Sequence, residues 1–158
     1  MRLFNICWML IFSLFVLTGC ATTFLEGPKF KEANPPRFGE ALVYFYRPNS
    51  TPFLLSPDLF VDGKKILELG NQGYSYVYLK PGEYDIKVTW SFMSGRPDLQ
   101  GKIKVEEGKE YFIRSHGHVS YNTIVYSASG YLDSIPKTDA LKEIKHCIFI
   151  KPIGIKPK

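Results

Sequence analysis

Apolar and polar residues alternate most clearly between residues 84 and 90. Tyr84, Ile86, Val88 and Trp90 fall on one side of an extended chain, and Asp85, Lys87 and Thr89 on the other. A period of two predicts a strand with one buried face. The turn Lys80-Pro81-Gly82-Glu83 precedes it. Proline presets φ at one central position, and glycine accepts the positive φ of a type II turn at the next. Upstream, Tyr74-Ser75-Tyr76-Val77-Tyr78-Leu79 has the β-branched and aromatic content of a strand. Its apolar groups fall on both faces, which predicts a strand covered on both sides or aromatic toward solvent. Asp62-Gly63, between Leu59-Phe60-Val61 and Ile66-Leu67-Glu68-Leu69, predicts a type I′ hairpin. Residues 60–90 therefore hold three strands and two tight turns, the centre of an all-β domain.

The same pattern extends outward. Ala41 to Arg47 reads as the first strand, with Val43 and Phe45 on one face and Leu42, Tyr44 and Tyr46 on the other. Pro48 ends it, because proline cannot donate to a ladder. A loop over 48–57 carries Phe53-Leu54-Leu55 among prolines, and a second loop covers 91–100. Ile103 and Val105 alternate with lysines, and Glu107-Gly108 turns into Tyr111-Phe112-Ile113-Arg114. Thr123 to Leu132 predicts the last full strand, and Ile148-Phe149-Ile150 an edge strand. Residues 138–144 are the helix candidate, capped by Thr138 or Asp139. About seven short strands, with turn signals every eight to twelve residues, predict a β-sandwich with a short C-terminal helix.

The N-terminus changes the picture of where such a domain works. One cation, Arg2, precedes an apolar run from Ile6 to Leu17, which is shorter than the roughly 20 residues of a membrane-spanning helix. Leu17-Thr18-Gly19-Cys20 matches the bacterial lipobox, in which Cys20 is diacylated and becomes the new N-terminus. Two or more acyl chains make a stable anchor where one does not. A plain signal peptide or an uncleaved anchor is the alternative. Ala21, in place of the aspartate that favours inner-membrane retention, directs the expectation to the outer membrane. Residues 1–19 are thus a signal peptide, 20–40 an acylated N-terminus and tether with a reach of roughly 25 Å, 41–150 the domain, and 151–158 a basic tail.

Lys+Arg number 20 and Asp+Glu 15, a formal charge of +5 that falls by one when Arg2 leaves. That is mild for a nucleic-acid binder, and nucleic acid is not an expected partner; the basicity is compatible with anionic lipid or polymer surfaces. With Cys7 removed and Cys20 acylated, Cys147 has no intramolecular partner. It is either a buried free thiol, or else the site of an intermolecular bridge or a reactive thiol.

Candidate chemistry is sparse. His116-Gly117-His118 puts two imidazoles on one side if extended, a weak metal pair that needs a third ligand such as His146-Cys147; otherwise the segment is a polar loop between strands. Ser115 beside His116 lacks the surroundings of a nucleophile elbow. No cofactor is expected, and enzymatic activity is not. The tyrosines are more suggestive. Tyr44 and Tyr46 share one strand face, and Tyr74, Tyr76 and Tyr78 another. If the faces coincide they form a platform for sugar rings or a protein partner, unless they fill the interior or lie under the C-terminal segment. Phe53 and Leu54 are a second candidate contact, or fold back over a sheet edge.

Tyr44-Phe45-Tyr46-Arg47-Pro48, Val61-Asp62-Gly63, Gly73-Tyr74 and Leu79-Lys80-Pro81-Gly82-Glu83-Tyr84 occur in that order. In this the chain resembles, over about residues 40–115, a family of short bacterial envelope lipoproteins with a single domain of unknown function. Members of that family resemble PEGA-type and carboxypeptidase-regulatory-like sandwiches. The resemblance implies an immunoglobulin-like or transthyretin-like β-sandwich on an envelope lipoprotein and carries no catalytic residues. The expectation is a membrane-anchored, non-enzymatic binding or scaffold module facing the periplasm, whose partner is an envelope protein or a cell-wall polymer. A carbohydrate- or peptidoglycan-binding module is the alternative, and a metal-handling lipoprotein a more distant one.

Overall fold

Among the described residues, nine strands form two sheets that face each other across an apolar interior. The computed structural model describes residues 25–51, 55–121 and 126–153. The strands are β1 (Ala41–Arg47), β2 (Asp58–Val61), β3 (Lys64–Glu68), β4 (Gly73–Leu79), β5 (Gly82–Thr89), β6 (Leu99–Val105), β7 (Glu110–Tyr121), β8 (Tyr126–Ser134) and β9 (Ile148–Phe149). A helix, α1 (Lys137–Ile144), lies between β8 and β9. One sheet has the order β8-β7-β1-β4-β9 and the other β3-β2-β5-β6. The architecture is the predicted all-β sandwich with a short C-terminal helix.

The inner layer follows from alternation. Val43 and Phe45 of β1, Val77 and Leu79 of β4 and Ile113 of β7 meet Leu59, Val61, Ile86, Val88 and Val105 from the second sheet. The hairpin at Asp62-Gly63 closes with φ of 47° and 72°, the left-handed pair that a type I′ turn demands. One pair of sheet edges closes where Leu99 of β6 packs against Gly130 of β8. Along the opposite edge the Ile153 amide donates to the Ile66 carbonyl at 2.5 Å.

The first sheet is covered on its outer face as well. Every residue of β1 is buried. A second apolar layer joins Leu42, Tyr44, Tyr46, Tyr74 and Phe112 to Ala140, Ile144 and Cys147, with Phe30, Ala33 and Phe149 packed alongside. This is why residues 74–79 show apolar groups on both faces.

Several expectations change. The presumed tether is attached to the domain from residue 25 onward: Lys29 bridges Ile148 as an extra antiparallel partner, and the Phe30 amide donates to the Cys147 carbonyl. Its want of periodicity reflects a single pass across a sheet face, which needs no repeat. β7 runs straight through His116-Gly117-His118, because opposing β8 supplies a full ladder there. The loop over 91–100 contains one 3-10 turn, Phe92–Ser94, and gives its end to β6. The last long strand begins at Tyr126 and runs to Ser134, with 122–125 outside the described residues. α1 starts at Lys137 after Pro136 and has no side-chain cap. Asp139 lies in its first turn, where it complements the helix dipole. Of the tail, residues 151–153 are described, with Pro152 buried; residues 154–158 lie outside the described set.

Two outcomes test this core. Phe45→Ala should lower the unfolding free energy by about 3–5 kcal/mol in a denaturant titration, the cost of a buried aromatic cavity. Burial, and then the charge of Glu143, push the Cys147 thiol up to about 12. At pH 8 a maleimide should leave Cys147 unmodified in the native protein and modify it fully in denaturant. Fast native labelling would show that the outer layer opens.

Candidate functional site

The pairing of β1 with β4 sets Tyr44 opposite Tyr76, Tyr46 opposite Tyr74 and Leu42 opposite Tyr78. The two tyrosine rows therefore do share one face, the outer face of the first sheet. Their rings run together: Tyr44 stacks on Phe112 at 4.7 Å with an interplanar angle of 5°, and Tyr44 and Tyr76 are 5.8 Å apart.

Most of this face is occupied by the protein itself, through the phenol tips. The Ala33 amide donates to the Tyr44 hydroxyl at 2.8 Å, and the Lys31 amide to that of Tyr74 at 3.1 Å. Tyr78 donates to the Asn34 carbonyl at 2.8 Å, and Tyr46 to a Glu143 carboxylate oxygen on α1 at 2.8 Å. Burial drives the phenols of Tyr44 and Tyr46 well above the ordinary tyrosine range, the Glu143 hydrogen bond adding to it at Tyr46. Tyr44, Tyr74 and Tyr78 thus anchor residues 31–34, and Tyr46 anchors α1, because a buried hydroxyl needs a partner.

Tyr76 is placed differently. It is half-buried, 5.6 Å from Phe149 and 5.9 Å from Tyr78. With Tyr74 and Phe149 it lines a groove of about 280 Å³ whose other wall is the segment 28–34, including Lys29, Lys31, Glu32 and Asn34. An aromatic floor with a polar rim is what remains of the platform. Phe53 and Leu54 lie outside the described residues, as does Cys20.

The histidine candidates do not assemble a metal centre. Among the described residues no group of three His, Cys, Asp or Glu side chains could hold an ion. His116 stacks on Tyr131 at 5.0 Å, and its Nδ1 sits 3.3 Å from Asp133 but off the line of a hydrogen bond. Burial, and then the Arg114 charge, hold it below the usual histidine value. His118 lies two residues along the same strand, opposite Ser129. Ser115 points the other way, into the interior at 1% exposure, so it and His116 cannot act as a pair. Arg114 instead ties the outer layer, reaching Glu143 at 2.7 Å and Asp133 at 3.2 Å.

The sequence reading missed a cluster at the end of the sandwich where β1 finishes. Arg47 has the inward parity of Val43 and Phe45 and is wholly buried. Its guanidinium lies 5.1 Å from the centre of the Trp90 ring, and that of Arg96 lies 5.2 Å from it. Arg47 donates to the carbonyls of Leu55 at 2.5 Å and Ser50 at 3.2 Å, and Arg96 to Ser129 at 2.7 Å. Burial, and then the Arg96 charge, push Arg47 down to about 10, still a cation at neutral pH. Gly117 makes room for Arg96: a Cβ there would strike the guanidinium and the Thr51 carbonyl. The available signal was parity, since Arg47 falls on the buried side of its strand.

Comparison with known proteins places these features. An uncharacterized protein of Haemophilus influenzae is 33% identical to this chain over 105 residues, 64% of this chain and 60% of the relative. The chain thus spans about 60% of that relative's length. The family model described as Protein of unknown function (DUF2846) matches residues 37–129. That range holds β1 through β7, the start of β8 and the Arg47–Trp90–Arg96 cluster, while the segment 28–34, α1 and β9 lie beyond it. With the match covering more than half of its residues, the chain belongs to the DUF2846 family.

Proposed function

We propose that this protein is a lipid-anchored, non-enzymatic binding module of the bacterial cell envelope, and that it holds a cell-wall glycan in the groove at Tyr76. The groove carries the reading. Its floor is Tyr74, Tyr76 and Phe149, and its rim offers two lysines, a glutamate and an asparagine amide. Sugar rings combine an apolar face with hydroxyls at the edge, so they suit an aromatic floor beside polar groups. At about 280 Å³ the groove falls just under the usual range of small-molecule sites. It suits one ring of a polymer laid across it better than an enclosed metabolite.

The address rests on the lipobox Leu17-Thr18-Gly19-Cys20 and on Ala21, which favour acylation at Cys20 and delivery to the outer membrane, facing the periplasm. No helix among the described residues is long and apolar enough to cross a membrane. Two or more acyl chains make a stable anchor by themselves. A flat, wholly apolar patch would instead favour a protein partner, and the rim of the groove argues against one.

Tyr76→Ala removes the accessible ring and leaves the bonded phenols of Tyr44, Tyr74 and Tyr78 in place. Retention of the protein on purified cell-wall sacculi should fall by about 3- to 10-fold, the worth of one ring contact. Unchanged retention would retire the glycan reading. Cys20→Ser should abolish incorporation of labelled palmitate and release the protein from the membrane fraction. Persistent labelling would show that the anchor lies elsewhere.

A further inference from the structure

We infer that the sandwich stands end-on to the bilayer, with the end that carries Phe92 against the lipid headgroups. This rests on the acylation of Cys20 proposed above, and it replaces the picture of a domain held off on a long tether.

The covering segment sets the geometry. Leu25 seats its side chain over two bare glycines in and beside the turn between β3 and β4. A Cβ on Gly70 would come within 2.9 Å of it, and one on Gly73 within 3.2 Å. Gly73 pairs with Arg47, so Leu25 sits level with the end of β1. From there the segment passes Tyr74, Tyr44 and Tyr78 in turn and reaches the start of β1, at the opposite end. Five residue steps separate Leu25 from Cys20. Fully extended they span at most about 18 Å. The acylated residue therefore lies no farther than that from the Arg47 end. The opposite end is a seven-residue strand away, roughly 23 Å more.

The same end presents an apolar side chain that is exposed. Phe92 follows Trp90 by two residues, and Trp90 packs on Arg47, so Phe92 belongs to this end. It is 96% exposed. Phe38 is as exposed, at 97%, but it lies at the far end beside Gly39, whose amide donates to Glu107. Exposure alone does not choose between the two; the short link to Cys20 does. The surface that Phe92 meets is the headgroup and upper acyl layer of the membrane that holds the anchor.

The test uses the full acylated protein in vesicles of phosphatidylethanolamine and phosphatidylglycerol. A single cysteine is placed at Phe92 or at Glu107 and labelled with a short-range fluorophore, Cys147 being buried. Spin-labelled headgroups should quench the Phe92→Cys probe several-fold and leave the Glu107→Cys probe nearly unquenched, with both variants melting at the same temperature. Equal quenching, or stronger quenching at Glu107→Cys, would overturn the orientation. Palmitate incorporation in the same preparations separates the two failures. Acylated protein with an unquenched Phe92→Cys probe sinks the end-on geometry alone, whereas unacylated protein sinks the anchor reading with it.

Discussion

A sheet buried on both faces must be covered by something, and here the covering has to satisfy phenol hydroxyls. The inner face of β1 and β4 asks only for apolar volume, which the second sheet supplies. The outer face presents tyrosines, and a buried hydroxyl left without a partner costs on the order of 1–3 kcal/mol. The partners are backbone groups of residues 31, 33 and 34 and one carboxylate of α1. A phenylalanine face would accept any greasy lid in any register. A tyrosine face selects one segment at one register, and so decides where the chain enters the domain and where the groove at Tyr76 is left open.

The Arg47 end works by a different balance. Burying a cation costs several kcal/mol unless its donors and its field are answered. The donors of Arg47 reach two loop carbonyls, and both guanidiniums share the face-bearing indole of Trp90, an arrangement that is favourable once water is excluded. The result ties the strand end, the loop after β1 and the β7–β8 hairpin into one block. Gly117 belongs to the same device, since any side chain there would displace Arg96.

The sandwich was legible because its strands obey a period of two and its turns are marked by glycine, which alone accepts positive φ at no cost, and by proline, which presets φ. The sharing of a face by Tyr44 and Tyr76 was legible only as a condition, since register depends on a partner strand 32 positions away. What covers that face was not legible. Residues 25–34 have no periodicity because they bond through main-chain groups, which any residue but proline supplies in full. The extension of β7 through His116 escaped for a related reason. Its ladder is set by pairing with β8, and not by the propensities of serine, histidine and glycine. Arg47 was hidden by its type, because arginine at a strand end is ordinarily solvated.

The covering segment joins these parts mechanically. It forms one wall of the groove, and under the proposed anchoring it is also the strap to the membrane. A pull from Cys20 acts on Leu25 along the axis of the segment, which runs the length of the sheet before the chain reverses into β1. The hydroxyl bonds at Tyr74, Tyr44 and Tyr78 stand across that axis and carry load together, as do the main-chain bonds to Cys147 and Phe149. Loaded in parallel they must fail jointly, whereas a segment peeled from its end would lose them one at a time. Had the strap entered from the opposite end while the membrane lay at the Arg47 end, the pull would have doubled it back on itself, and the same bonds would have opened in sequence and the groove wall with them. Under the proposed anchoring, entry from the Arg47 end therefore keeps the groove wall in place under load.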